Sequence, residues 1–116
     1  MFRFFAHKTP DNDRCINFDR QRTEIKTYNQ SPDNLKAVEA ETVEYKWKFK
    51  IPSNFQVSSN FTYLHQIKSV DGAFASIPMI TLTARKASPD RLELRYTPTN
   101  NQNTIQTAEV NLFRGY

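Results

Sequence analysis

Apolar and polar residues alternate with a period of two along much of this chain. The clearest stretch is 43–51, where Val43, Tyr45, Trp47, Phe49 and Ile51 fall on one side and Glu44, Lys46, Lys48 and Lys50 on the other. That pattern predicts a strand with one buried and one charged face. The same period predicts a strand over 61–70, with Phe61, Tyr63, His65 and Ile67 on one face and Thr62, Leu64, Gln66 and Lys68 on the other. Strands over 77–85, 91–97 and 104–113 follow, and 2–6 and 22–28 add two near the start. Between these segments lie turn-forming clusters: Pro10-Asp11-Asn12-Asp13, Pro52-Ser53-Asn54, Asp71-Gly72, Ser88-Pro89-Asp90 and Pro98-Thr99-Asn100-Asn101. One helical candidate, 31–40, opens with Ser31 as a cap and Pro32 in the first turn. Short strands at this spacing predict an all-β fold, an antiparallel sandwich, jelly roll or barrel.

Composition removes other classes of answer. The chain has 116 residues, within the size of one domain. With Gly72 and Gly115 as its 2 glycines, it has no phosphate-cradling loop, since such loops need several glycines close together. Cys15 is the 1 cysteine, and the 2 histidines, His7 and His65, lie far apart, so no thiolate metal centre is expected and no metal or other cofactor is implied. No apolar stretch approaches the ~20 residues of a membrane-spanning helix, and no membrane partner is expected. Met1 to His7 lacks the pattern of a secretory signal, so export would depend on a signal outside this sequence. The net charge of +4 and pI near 9.3 favour polyanions without choosing among them.

Two charged segments bear on that choice. On a strand, Arg22, Glu24 and Lys26 share one face and Thr23 and Ile25 the other. A carboxylate between two cations can orient them toward an anionic ligand, or the three can form a solvated face with cross-strand ion pairs. In His65-Gln66-Ile67-Lys68, Gln66 and Lys68 share a face. His65 points with Tyr63 and Ile67 to the apolar side, as a core or rim histidine, unless the strand bulges.

Taken together and in this order, Arg22-Thr23-Glu24-Ile25-Lys26 followed by Gln66-Ile67-Lys68 resembles the motif strands of the alginate-lyase-like and glucuronan-lyase-like polysaccharide lyases. The resemblance implies a concanavalin-type β-jelly roll, an antiparallel β-sandwich whose concave sheet binds an acidic polysaccharide, with eliminative cleavage of a uronic-acid glycan. Such cleavage requires neutralisation of the uronate carboxylate, a base for the adjacent proton and an acid for the leaving oxygen. On this model Arg22 and Gln66 hold the carboxylate, with Lys68 the third catalytic position. Glu24 braces Arg22, Lys26 meets a further acid group, and His65 joins them at the substrate.

Two departures accompany the resemblance. Lys68 stands where those lyases have histidine, and a lysine serves as base only when its pKa is lowered. Their late Tyr-x-Lys-x-Gly strand has no counterpart before Phe113-Arg114-Gly115-Tyr116. The expectation is therefore a single jelly-roll-like β domain over 1–116, either a reduced relative or an incomplete sandwich from a longer lyase domain. A non-catalytic carbohydrate-binding module is the alternative to an enzyme. An assembly role through exposed sheet edges is a third reading.

The Tyr45-Lys46-Trp47-Lys48-Phe49-Lys50 segment has the residue types of a nucleic-acid surface, but alternation sends rings and lysines to opposite faces. Trp47 is therefore expected in the core and no nucleic-acid partner is expected. Sequons at Asn29 and Asn60 and the lone Cys15 are compatible with a secreted or periplasmic location. The oligomeric state is left open.

Overall fold

A computed structural model describes residues 2–5, 23–73, 75–98, 101 and 105–112. The fold is all-β, with almost no helix among the described residues. The chain divides into two compact units, Met1–Glu44 and Tyr45–Tyr116.

None of the described residues of the first unit is buried. Neither 2–5 nor 23–28 forms a strand, although both lie in segments expected as strands. Alternation selects a face, but a strand also needs a ladder partner for its backbone groups. Thr23 Oγ1 donates to Phe5 O at 2.7 Å across 18 positions, and the contacts around Ser31 are local. Ser31 N–H donates to Tyr28 O at 2.8 Å, and Tyr28 N–H donates to Ser31 Oγ at 3.0 Å. The predicted helix over 31–40 reduces to one 3-10 turn, Asp33–Leu35, entered from Pro32 with no side-chain cap. Ser31 is already used in the preceding turn, so it does not cap, and Lys36 leaves the turn in an extended conformation. Lys36 Nζ closes the turn on Asp33 Oδ1 at 2.8 Å and on Asn29 O at 3.2 Å.

The second unit contains one four-stranded antiparallel sheet of sequential strands: β1 (Thr62–Ile67), β2 (Ile80–Arg85), β3 (Arg91–Tyr96) and β4 (Gln106–Asn111). All four lie within strands that the period of two predicts. The β1–β2 and β2–β3 connections are reversals built on turn residues. Gly72, at φ +80°, supplies the left-handed position in the β1–β2 loop that a side chain would strain. Between β2 and β3, buried Asp90 accepts the Ala87 N–H at 3.1 Å and pairs with Lys86 at 3.4 Å, while its carbonyl accepts the Leu112 N–H at 2.8 Å.

The two faces of this sheet differ in chemistry. Cross-strand partners share a face, so the rows Thr62–Ala84–Leu92–Val110, His65–Leu82–Leu94–Ala108 and Ile67–Ile80–Tyr96–Gln106 make one largely apolar face. The rows between them, Tyr63–Thr83–Glu93–Glu109, Gln66–Thr81–Arg95–Thr107 and Arg85–Arg91–Asn111, make a polar one. The core lies on the apolar side, where Ile51, Val57, Ala84 and Leu112 are buried and Phe55, Leu64 and Leu92 pack against them.

Residues 43–51 are not a strand of this sheet. Two residues of their apolar row reach the apolar side of the sheet: Ile51 enters the core and Trp47 stacks on His65. Pro52, which lacks an N–H, ends the run in an isolated bridge. Trp47 is consequently 50% exposed and is not the core residue that alternation predicts.

Candidate functional site

A β-bulge in β1 decides which side chains reach the polar face. Tyr63 pairs with Thr83 and His65 with Leu82, so Leu64 is the extra residue and has no partner of its own. Leu64 turns into the core beside His65, and the alternation restarts one residue out of phase. Both faces predicted for this strand are therefore split. Thr62, Leu64, His65 and Ile67 face the apolar side, whereas Tyr63 and Gln66 face the polar one. Phe61, two residues before Tyr63, has its ring centroid 4.8 Å from the tyrosine ring.

The centre of the polar face is Glu93, a buried carboxylate. Its Oε1 accepts from Arg85 Nε at 3.0 Å and lies 3.0 Å from Arg85 Nη2. Arg95 Nε stands 3.5 Å from the same oxygen, an ion pair without hydrogen-bond geometry. A buried carboxylate persists only when its charge is compensated, and here two guanidinium groups converge on it. Arg85 also donates from Nη1 to Asn60 O at 3.4 Å and lies over the Phe61 ring at 5.5 Å. Across the next strand pair, Arg91 Nη1 donates to Asn111 Oδ1 at 3.0 Å.

Thr81 and Thr83 sit between these longer side chains. Thr83 is 0% exposed, and neither hydroxyl has a hydrogen-bond partner among the described residues. Gln66 lies exposed at the end of the row that contains Thr81 and Arg95. The face thus combines Arg85, Arg91 and Arg95 with Glu93 and Glu109, a cationic balance with amide and hydroxyl groups beside it. Such a surface can bind an anionic, hydroxyl-rich ligand through charge-assisted hydrogen bonds.

The site residues expected from sequence fall in several places. Gln66 is on the polar face, and Lys68 is exposed just beyond the end of β1. His65 is on the opposite, apolar face, stacked on Trp47 with ring centroids 4.2 Å apart. Its Nε2 is buried without a partner among the described residues, and loss of water around the ring holds its pKa below the ordinary histidine value. Glu24 and Lys26 form an exposed pair at 3.9 Å in the first unit, and Arg22 lies outside the described residues.

Arg85, Arg91, Arg95, Thr81 and Thr83 did not stand out in the sequence. A signal for part of this set was present, since Arg91, Glu93 and Arg95 repeat on alternate positions the cation–acid–cation order of Arg22, Glu24 and Lys26. The exchange of Phe61 and Tyr63 between faces had no such signal, because nothing local marks the bulge at Leu64.

Among the described residues, no group of three or more His, Cys, Asp and Glu side chains gathers as a metal site, and no helix is long and apolar enough to cross a membrane. Comparison with known proteins gives no match to any family model, curated protein or solved structure.

Proposed function

We propose that this chain is a polysaccharide-lyase-like β domain that binds an acidic, uronic-acid polysaccharide on the polar face of its sheet, the sheet being one layer of a concanavalin-type sandwich. One observation carries the reading: Gln66, Thr81 and Arg95 form a single cross-strand row, with Arg85 and Arg91 on the same face. An arginine presents a planar fork that matches a carboxylate, and a glutamine amide adds a neutral donor. In the uronate-binding scheme Gln66 works with an arginine, and Arg95 is the arginine in its row. Binding is the activity this face supports, and a secreted or periplasmic location accords with such a ligand.

The test is affinity electrophoresis of the full chain in gels containing alginate, glucuronan or a neutral glucan, with parallel incubations followed at the ultraviolet absorbance of unsaturated uronates. Retardation by the polyuronates with flat absorbance is the expected result. Rising absorbance would make the chain an active lyase. Equal migration in all gels would overturn the reading.

A further inference from the structure

The polar face has an aromatic margin that the uronate reading does not itself require. Phe61 and Tyr63 remain 39% and 42% exposed, although residues of this size and apolarity usually gain by burial. Their rings are 4.8 Å apart and tilted by 42°, so they form a shared platform with two differently inclined ring surfaces. Arg85 borders it, with Cζ 5.5 Å from the Phe61 centroid. The guanidinium is held by Glu93 through Nε and Nη2 and by Asn60 O through Nη1. A guanidinium has five N–H donors, so some remain on Nη1 and Nη2 for another acceptor.

We infer that Phe61, Tyr63 and Arg85 form a sugar-ring subsite that takes one uronic-acid residue of the glycan, with the pyranose C–H face against the rings and the carboxylate on Arg85. This rests on the polar-face reading and adds to it a position and a mode of recognition. A pyranose has an apolar C–H face that an aromatic ring can cover, while the carboxylate at the ring's edge needs a cation beside it. The platform supplies both within one contact distance, because Arg85 is itself packed over the Phe61 ring. The bulge at Leu64 is the device that creates the subsite, since it lets Tyr63 and Gln66 share a face although three positions separate them. Glu93 acts as a positioning residue: it fixes the guanidinium before ligand arrives, which reduces the ordering cost of binding.

The experiment compares the full chain with Phe61→Leu, Tyr63→Leu, Tyr63→Phe and Arg95→Ala in alginate affinity gels, with circular dichroism confirming the sheet. Each leucine variant keeps apolar bulk and loses a ring, and each is expected to weaken binding roughly three- to tenfold. Tyr63→Phe keeps the ring and is expected to stay within about twofold by the same measure. Weakened binding by Arg95→Ala together with unchanged binding by both leucine variants would overturn the subsite and leave the polar-face reading standing. Unchanged binding by Arg95→Ala and the leucine variants alike, or no binding by the parent chain, would overturn both. If one leucine variant fails to fold, the contrast between Tyr63→Phe and the other decides the matter.

Discussion

The indole of Trp47 lies on the imidazole of His65, with ring centroids 4.2 Å apart and planes 29° from parallel. This stack joins a segment outside the ladder to the apolar face of β1. It also excludes water from a titratable ring whose Nε2 has no partner among the described residues. Burial of this kind disfavours the imidazolium and lowers the histidine pKa.

The stack has a pH signature. Because the folded pKa lies below the unfolded one, the unfolded chain takes up the proton first as pH falls. Stability is then unaffected above the ordinary histidine range, declines as pH falls from that value toward the lowered folded one, and levels off once both states are protonated. Trp47 is the 1 tryptophan, so its fluorescence reports on this contact directly. Quenching on acidification is expected with a midpoint below that of free histidine, and His65→Phe is expected to abolish the titration. A midpoint at or above the free value would refute the account.

Removing the indole tests the energetics of the same contact. Trp47→Ala is expected to lower the unfolding free energy by about 0.5–1.5 kcal/mol from the lost ring pair alone, with a further loss for whatever apolar area it covers. Urea denaturation followed by circular dichroism measures it. A variant as stable as the parent would show that the stack anchors nothing.

Glu93 compensates Arg85 and Arg95, and its direct neighbour on β4 is Glu109. Glu93→Ala is expected to cost about 1–3 kcal/mol, since hydrogen bonds to charged groups are lost and two partly buried guanidinium groups keep their charge. Glu109→Gln removes a like-charge neighbour and is expected to gain a few tenths of a kcal/mol, roughly the size of a cross-strand pair effect. Chemical denaturation of both variants gives the comparison, and a larger cost for Glu109→Gln than for Glu93→Ala would invert the assignment.

Thr83 buries a hydroxyl without a hydrogen-bond partner among the described residues. Thr83→Val replaces that hydroxyl by a methyl group of similar shape and is expected to stabilise by about 1 kcal/mol, because an unpaired buried hydroxyl carries its desolvation cost. A shift of the urea midpoint to lower concentration would show that the hydroxyl is bonded in solution.

Asp90 serves two backbone sites through one residue, with its carboxylate on the Ala87 N–H and its carbonyl on the Leu112 N–H. Asp90→Ala keeps the second and removes the first, along with the Lys86 pair. A loss of about 1–2 kcal/mol is expected, with faster hydrogen exchange at Ala87 and an unchanged rate at Leu112. Equal acceleration at both amides would mean that the whole turn depends on the carboxylate.

Much of the sheet was legible because its strands alternate cleanly. Ile80, Leu82 and Ala84 against Thr81, Thr83 and Arg85 in β2, and Leu92 and Leu94 against Arg91, Glu93 and Arg95 in β3, announce both faces without any tertiary information. The same period gives no strand at 43–51 or 23–28. It also fails across Leu64, because a bulge is a property of two paired strands and not of one. The candidate site suffered accordingly: Gln66 was visible from sequence, but its neighbours were not.

That this is a β protein, that the chain reverses after β1 and β2, and which side chains alternate within β2 and β3 were legible in the linear pattern, because these depend on local sterics and on a period of two. The tertiary structure decided which alternating segments become strands and which side chains meet across them. It put Trp47 on His65 instead of in the core, and it set Tyr63 and Gln66 on one face with Arg85 and Arg95. Those outcomes depend on pairing register and on contacts between distant segments, which a single strand's pattern does not contain.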